Sequence, residues 1–574
     1  MPSSLRIVGL ALGVMFGCGG DSKTADSPAD VEVDRPDVEP TPDEVVTACD
    51  AVVVADAAGA TVEGWPLVYS ESQDGDLSFR APAVARPTFL TVGSTLLRVD
   101  PAPGNFEIPG LAADCGSFAH GVASGDPRPD GVTLWTRYST DGADAVPLRW
   151  AVSTNPAMSA PVAEGEAIAA PNRDWTVHVD VAGLAPATTY YYRFQDPSGE
   201  ASTLGRTRTA GGETLRFAVA SCSSLYSGWF NAYRRIGERN DLDLVIHLGD
   251  YIYDFVDEDE TIRVPLSGSV EDPTDLAGHR RRHADYLSDP DLRAARAAHP
   301  WFLLWDNHDL VRNAPDFGGG VQAFREWNPL PPMPPDGSRE QIYRVLRWGR
   351  LADLFLIDML LFQREATLPS GAPGVLGDAQ FAWLQTELRA SQAQWRVLGM
   401  QKVFAEFGPF SGWQDFPEAR SRLIRFLADE NIGNNLFLSG DSHFTLFQDV
   451  VDDPLNMTQP YDPTTGIGAV GAELMASSIT RGNFDEQLGT TATMLVDPLR
   501  SGFLEQNPHQ VDMELTQHGY GVVDVQAERV VTELWYSPIL EPSDRETFGG
   551  AYAIDDGQNR FRRTPITTPT SRTE

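Results

Sequence analysis

Positive charge is scarce in this chain: 44 lysines and arginines face 81 aspartates and glutamates, and the net charge is -37. A surface of that sign repels nucleic acid and anionic lipid, which excludes a broad polyanion-binding face unless a local cationic site overrides it. Cysteine is scarcer still, at four in 574 residues, so disulfides can number two at most. Long apolar runs are missing as well. The run from Ile7 to Gly17 falls short of the ~20 residues that cross a bilayer, and no later segment approaches that length. What the chain has is apolar substance. Hydrophobic residues make up 42% and aromatics 10%, enough to build large cores, and the length suits about two to four domains.

The short apolar run fits a secretory signal. Met15-Phe16-Gly17-Cys18 closes it with a small residue before a cysteine, which resembles a bacterial lipoprotein signal in which Cys18 carries lipid after cleavage. Residues 1–17 are then a signal peptide, and the mature chain is exported and held to a bacterial membrane by lipid alone, periplasmic or at the cell surface; plain secretion is the alternative. Residues 18–47 are dominated by Asp, Glu, Pro, Ser and Thr and read as a disordered tether. Residues 48–116 contain short alternating runs and read as a small β-rich extension. Cys49 and Cys115 bracket it and are the natural disulfide pair. Cys222 is then alone in an oxidising compartment, where metal ligation explains an unpaired thiol and an inert buried cysteine is the plainer alternative.

From 117 to 211, short strands with turn signals at regular spacing predict a β-sandwich. After Gly212 apolar β-branched runs alternate with amphipathic stretches, which predicts an α/β domain over 212–545. Its expected strands are 215–221, 242–248, 301–305, 395–399 and 436–439, and its expected helices are 229–239, 378–390 and 419–427. Residues 519–525 and 529–536 read as a closing hairpin, and 546–574 as a C-terminal tail. His120 and His247 read as structural, and Arg280-Arg281-Arg282 as a solvated helix face.

Ligands in open α/β sheets bind beyond the carboxyl ends of the strands. Those ends here carry Cys222, then Asp250 and Tyr253, then Asp306-Asn307-His308, and later Asp441 with His443. One such residue alone is more often a helix cap or a satisfied polar group. Together they supply carboxylates, imidazoles, an amide, a phenol and a thiol, the donors of a multinuclear metal site. Paired ions offset phosphoryl charge and activate a bound hydroxide for in-line attack, while a histidine protonates the leaving oxygen. Arg312 and Asn313 follow the histidine motif closely enough to line the pocket.

The ordered set resembles the alkaline phosphatase D (PhoD-like) family, a branch of the calcineurin-like metallophosphoesterases. The resemblance rests on Phe118 to Pro127, Val132 to Arg137, Asp285 to Asp309, Ala220 to Cys222, Gly249 to Tyr253, Leu438 to His443 and His518 to Val525. It implies a four-layer α/β/β/α sandwich preceded by an all-β fibronectin type III-like domain, with ferric iron and calcium as cofactors. It also implies that Cys222 and Tyr253 ligate iron and Asp250 bridges metals. Asp306, Asn307, Asp441 and His443 complete the ligands, and His308 contacts phosphate. Many members read Asp-Asp-His where this chain has Asp306-Asn307-His308, one negative charge fewer. Only Arg6 precedes the apolar run, so a twin-arginine export signal is not indicated.

The expected activity is therefore hydrolysis of phosphate monoesters and diesters by a monomeric, exported enzyme whose partner is its phosphate-ester substrate, with no nucleic-acid-binding surface. A phospholipase or polymer phosphodiesterase of the same fold is one alternative. A surface-binding lipoprotein without activity is another, and intact Cys222, Asp250, His308, Asp441 and His443 argue against it.

Overall fold

A computed structural model describes residues 117–564 except 141, 257–260, 264–271, 311–317, 332–340, 362–366, 409, 457 and 459–460, together with five strands between Ser70 and Ile108. The expected signal and tether segments, Cys18, Cys49 and Cys115 lie outside the described residues, as do Arg312 and Asn313. The five early strands form a three-stranded and a two-stranded antiparallel sheet. Among the described residues no helix is long and apolar enough to cross a membrane.

Three sheets carry the rest, two of them mixed. In the seven-stranded sheet, Ala352–Ile357, Trp395–Met400, Asn435–Ser439 and Gly471–Met475 run parallel in that order. Side chains alternate across it as the pleat requires. Leu354, Leu356, Val397, Leu436 and Leu438 enter a core shared with the ten-stranded sheet. Phe355, Ile357, Leu398, Met400 and Phe437 face Leu384, Leu388, Leu423 and Leu427 of the helices Asp378–Ala390 and Pro417–Asp429. Strands buried on both faces read as continuous apolar runs, which is why they stand out in the sequence.

The ten-stranded sheet is parallel through its centre, where Leu215–Ala220 pairs with Leu244–His247 and that strand with Pro300–Leu303. Helices Asn231–Glu238, Leu276–Tyr286 and Pro290–Ala298 connect these strands; Phe230, Tyr233, Ile236, Tyr286 and Leu292 pack with them. Helix, sheet, sheet and helix thus give the expected four layers. The hairpin of Gly519–Val525 and Arg529–Tyr536 joins antiparallel to Leu215–Ala220.

Three features differ from the sequence reading. The expected β-sandwich is present, but it shares a sheet with the α/β domain. Val122–Arg128, Gly131–Arg137 and Thr176–Ala182 form one of its faces and continue the ten-stranded sheet, with Ser124 and Gly125 pairing parallel to Pro300 and Trp301. The other face is the four-stranded sheet whose Leu148, Val152, Tyr192 and Phe194 close over Val132 and Leu134.

The second difference is at the C-terminus. Thr547–Asp555 pairs along Arg529–Tyr536, and Arg562–Thr564 pairs with it in turn, so the described part of the expected tail adds two strands to the sheet. Gly549 permits this, because a Cβ there would lie 2.2 Å from the Tyr536 ring.

The third concerns the arginine run, which is split. Arg281 is exposed, whereas Arg280 pairs with Glu326 at 2.7 Å and Arg282 is buried with its Nη1 donating to the Tyr253 carbonyl at 2.6 Å. Packing of Leu276–Tyr286 against Gly318–Trp327 and the site loop takes up two charges that a free helix would leave in water. His120 sits with its ring edge-on to Trp327, and His247 Nε2 meets the Tyr233 hydroxyl at 3.0 Å, so both serve the core.

Candidate metal centre

The parallel strands of the two sheets deliver their carboxyl ends to one rim. Cys222 follows Leu215–Ala220, Asp250 follows Leu244–His247, Asp306 follows Pro300–Leu303, and Asp441 follows Asn435–Ser439. Two close approaches hold the loops together. A Cβ on Gly249 would lie 2.6 Å from the Asp306 Cβ, and one on Gly440 would lie 2.7 Å from the Ser221 Oγ. Only glycine lets the second and third strand ends touch, or the seven-stranded rim reach the ten-stranded one. Main-chain bonds lace the same loops. Cys222 N–H donates to the Gly249 carbonyl, and Ile479 and Arg481 N–H donate to the Ser221 and Cys222 carbonyls.

Backbone strain concentrates here. Cys222, Asp250, Asp441 and His443 all adopt left-handed conformations, with φ of 54°, 52°, 69° and 66°. Each costs about 1 kcal/mol or more for a residue with a side chain, and such strain persists where the surroundings over-determine it.

Cys222, Asp250 and His443 are buried and present donor atoms within 4.8 Å of one another. The Cys222 Sγ lies 3.9 Å from Asp250 Oδ2, and the Tyr253 hydroxyl lies 3.3 Å from that oxygen and 3.2 Å from His443 Nε2. The His443 Nδ1 meets the Gly482 carbonyl at 3.0 Å. A carbonyl only accepts, so Nδ1 carries the proton and Nε2 keeps its lone pair toward Tyr253 and the cluster.

Asp250 Oδ1 accepts the His308 N–H at 3.2 Å. The His308 imidazole stacks on the Tyr253 ring at 4.5 Å, and its Nδ1 meets Asp254 Oδ1 at 2.6 Å. The Asn307 N–H donates to Asp306 Oδ1 at 2.8 Å, and Asn307 is buried. Asp441 Oδ1 meets Lys402 Nζ at 2.5 Å. Asp309 accepts the Ile252 and Asp306 N–H groups at 3.0 and 2.8 Å, which ties the second and third strand ends together.

The electrostatics are those of a site short of positive charge. Burial pushes the Cys222 thiol well above its ordinary range, and the Asp250 carboxylate adds to the shift. Burial and the neighbouring Asp441 raise Asp250, and burial raises Asp306 against the opposing pull of Lys402. Asp309 is pushed up to about 8, chiefly by burial and then by Asp250. Burial opposes a charged His308, but the Asp250 and Asp254 carboxylates outweigh it and raise its pKa. Burial, then Arg481, holds His443 well below its usual value, which keeps the imidazole neutral as a metal ligand requires. A thiol, a phenol, a neutral imidazole and crowded buried carboxylates are a donor set that fits iron at the sulfur and phenol end and oxygen-loving cations at the carboxylate end.

The structure therefore gathers Cys222, Asp250, Tyr253 and His443 by direct contact, His308 through Asp250, and Asp306 and Asp441 through their shared field with Lys402. Sequence reasoning missed Asp254, Lys402 and Arg481. The Arg481 guanidinium lies 5.6 Å over Tyr253 and 5.3 Å over Phe255. Lys402 carried a usable signal, because it stands two residues past the parallel strand Trp395–Met400.

Comparison with known proteins places the chain in a family. The PhoD-like phosphatase family matches residues 217–316 and 317–534, and the PhoD-like phosphatase N-terminal domain matches 109–211. The chain is 33% identical to alkaline phosphatase D of Bacillus subtilis (strain 168) over 503 residues, covering 79% of this chain and 83% of that one. A solved structure of PhoD superposes with a TM-score of 0.68 at 28% identity, covering 79% of this chain and 93% of that chain. The purple acid phosphatase PPD1 from yellow lupin (Lupinus luteus) seeds shares the fold, with a TM-score of 0.50 at 12% identity over 86% of this chain and 83% of that chain. With the fold and both family regions matched, this chain belongs to the PhoD-like phosphatases and is a phosphoric ester hydrolase.

Proposed function

We propose that the protein is an exported, metal-dependent phosphatase that hydrolyses phosphate monoesters and diesters, tethered to a bacterial membrane through lipid on Cys18. The observation that carries the reading is the convergence of Cys222, Asp250 and His443 on one buried point, on strained backbone, where parallel strands of two mixed sheets end. Cys222, Tyr253, His443 and Asp250 are the residues to hold ferric iron, and Asp250, Asp306, Asn307 and Asp441 those to hold calcium. Bound there, such ions supply Lewis acidity and the positive charge that a phosphoryl group needs.

The chain's own side chains position and move the proton. Asp254 takes the Nδ1 side of His308 and fixes the ring against Tyr253, so Nε2 is the atom that gives a proton to the leaving oxygen. Asp309 pins the loops of Asp250 and Asp306 in one register. The net charge of -37 leaves this local centre as the place for an anionic ester to dock.

Hydrolysis of a panel of monoesters and diesters, followed by release of the leaving alcohol and compared between wild type, Cys222→Ala and Asp250→Ala, tests the reading. Both variants are expected to lose turnover on every ester. Undiminished release in both would remove this centre from the mechanism.

A further inference from the structure

Lysine is almost absent from this protein. The chain has two, Lys23 and Lys402, and arginine serves as the cation everywhere else in the described fold. Lys402 is only 19% exposed. Its ammonium sits 2.5 Å from Asp441 Oδ1, and the Asp306 and Asp250 carboxylates act on it as well.

Its placement is built rather than incidental. The neighbouring Gln401 is locked, with its Nε2 donating to the Trp305 carbonyl at 2.8 Å and to Asp358 Oδ1 at 3.1 Å. The Gln401 carbonyl accepts the Gly440 N–H at 2.9 Å, so the main chain that bears Lys402 is fastened to the loop that bears Asp441. An arginine offers a wide planar fork that matches a carboxylate two atoms at a time, whereas an ammonium is a compact point charge. Among clustered oxygens the point charge takes the place of a single cation.

We propose that the Lys402 ammonium is a resident cation of the centre, standing among Asp441, Asp306 and Asp250 in the position of one divalent ion. The enzyme accordingly holds one divalent ion fewer than its carboxylates can bind. This rests on the metal centre proposed above.

The test is a metal count on full-length protein. Wild type, Lys402→Met, Lys402→Gln and Cys222→Ala are loaded with iron and calcium, desalted and analysed by inductively coupled plasma mass spectrometry. Melting is followed with and without calcium. Both Lys402 variants are expected to carry one more calcium per chain than wild type. Without calcium they should melt lower than wild type, because the carboxylates lose their cation, and calcium should restore them. An unchanged or smaller calcium count, or a melting loss that calcium does not restore, overturns the role of Lys402. Cys222→Ala separates the two ideas: its metal content should fall, and if it does not, the metal centre itself is wrong.

Discussion

Cys222, Asp250 and His443 form one compact group of potential metal donors, and Asp485, Glu486 and His518 form another; in each the donor atoms lie within 4.8 Å of one another. By spacing alone the two are alike. They differ in how their charge is met. In the second, His518 Nε2 lies 3.2 Å from both Glu486 oxygens and its Nδ1 meets the Ser478 hydroxyl at 3.0 Å. Glu486 also accepts the Asn483 N–H at 2.9 Å, as the capping residue of Phe484–Leu488. Burial resists ionisation of Glu486, but His518 outweighs it and lowers the pKa, while burial and the adjacent Glu486 raise Asp485. That cluster answers its own charge with a histidine and a helix end. The first has its residues on strained backbone, and burial leaves Cys222, Asp250 and Asp306 resisting ionisation. Proximity of donors marks both groups; strained backbone and buried carboxylates crowded about a single lysine mark the one that calls for a metal ion.

The largest effect expected from breaking this contrast is at Asp250. Asp250→Ala should lower turnover by about 10³-fold, near 4 kcal/mol of transition-state stabilisation, together with metal content. His308→Ala should lower kcat by about 10²-fold while metal content holds, and Asp254→Asn by about tenfold, since the aspartate only orients the ring. Steady-state kinetics beside metal analysis separates these roles.

Acid should part the two clusters in time. Asp250 has a raised pKa, so it takes up a proton at higher pH than an ordinary carboxylate and competes with metal early. Glu486 has a lowered pKa, so its contribution to stability is present above the unfolded value near 4.5 and is lost only as pH falls below it. Metal release should therefore precede the loss of tryptophan fluorescence on acidification; simultaneous loss would erase the distinction. The smallest effect belongs to Glu486→Gln. It should cost about 1 kcal/mol of stability, seen as a small drop in Tm, with metal content unchanged and kcat within about twofold.

Much of the centre was legible because its residues follow apolar strands, where a polar side chain is conspicuous. Cys222, Asp250, Asp306 and Asp441 all satisfy that rule, and the hairpin of Gly519–Val525 and Arg529–Tyr536 fell where alternation placed it. Lys402 satisfies the same rule but belongs to no motif, so its strand-end place alone did not single it out. Arg481 lies in a loop with no periodicity at all. The fusion of the sandwich to the catalytic sheet was hidden for another reason. Ser124 pairs with Pro300 across a long stretch of chain, and parallel pairing at that separation leaves no local signature. Glycines at 549 and 550 likewise masked a strand whose need for them comes from Tyr536 and the bend of the sheet.

The central claim is that the Cys222 sulfur belongs to a metal's coordination sphere. X-ray absorption at the iron edge of the full-length protein tests it directly. A sulfur shell at about 2.3 Å, as thiolate–metal bonds show, is expected in wild type and should vanish in Cys222→Ala. An identical shell in both proteins would contradict the account.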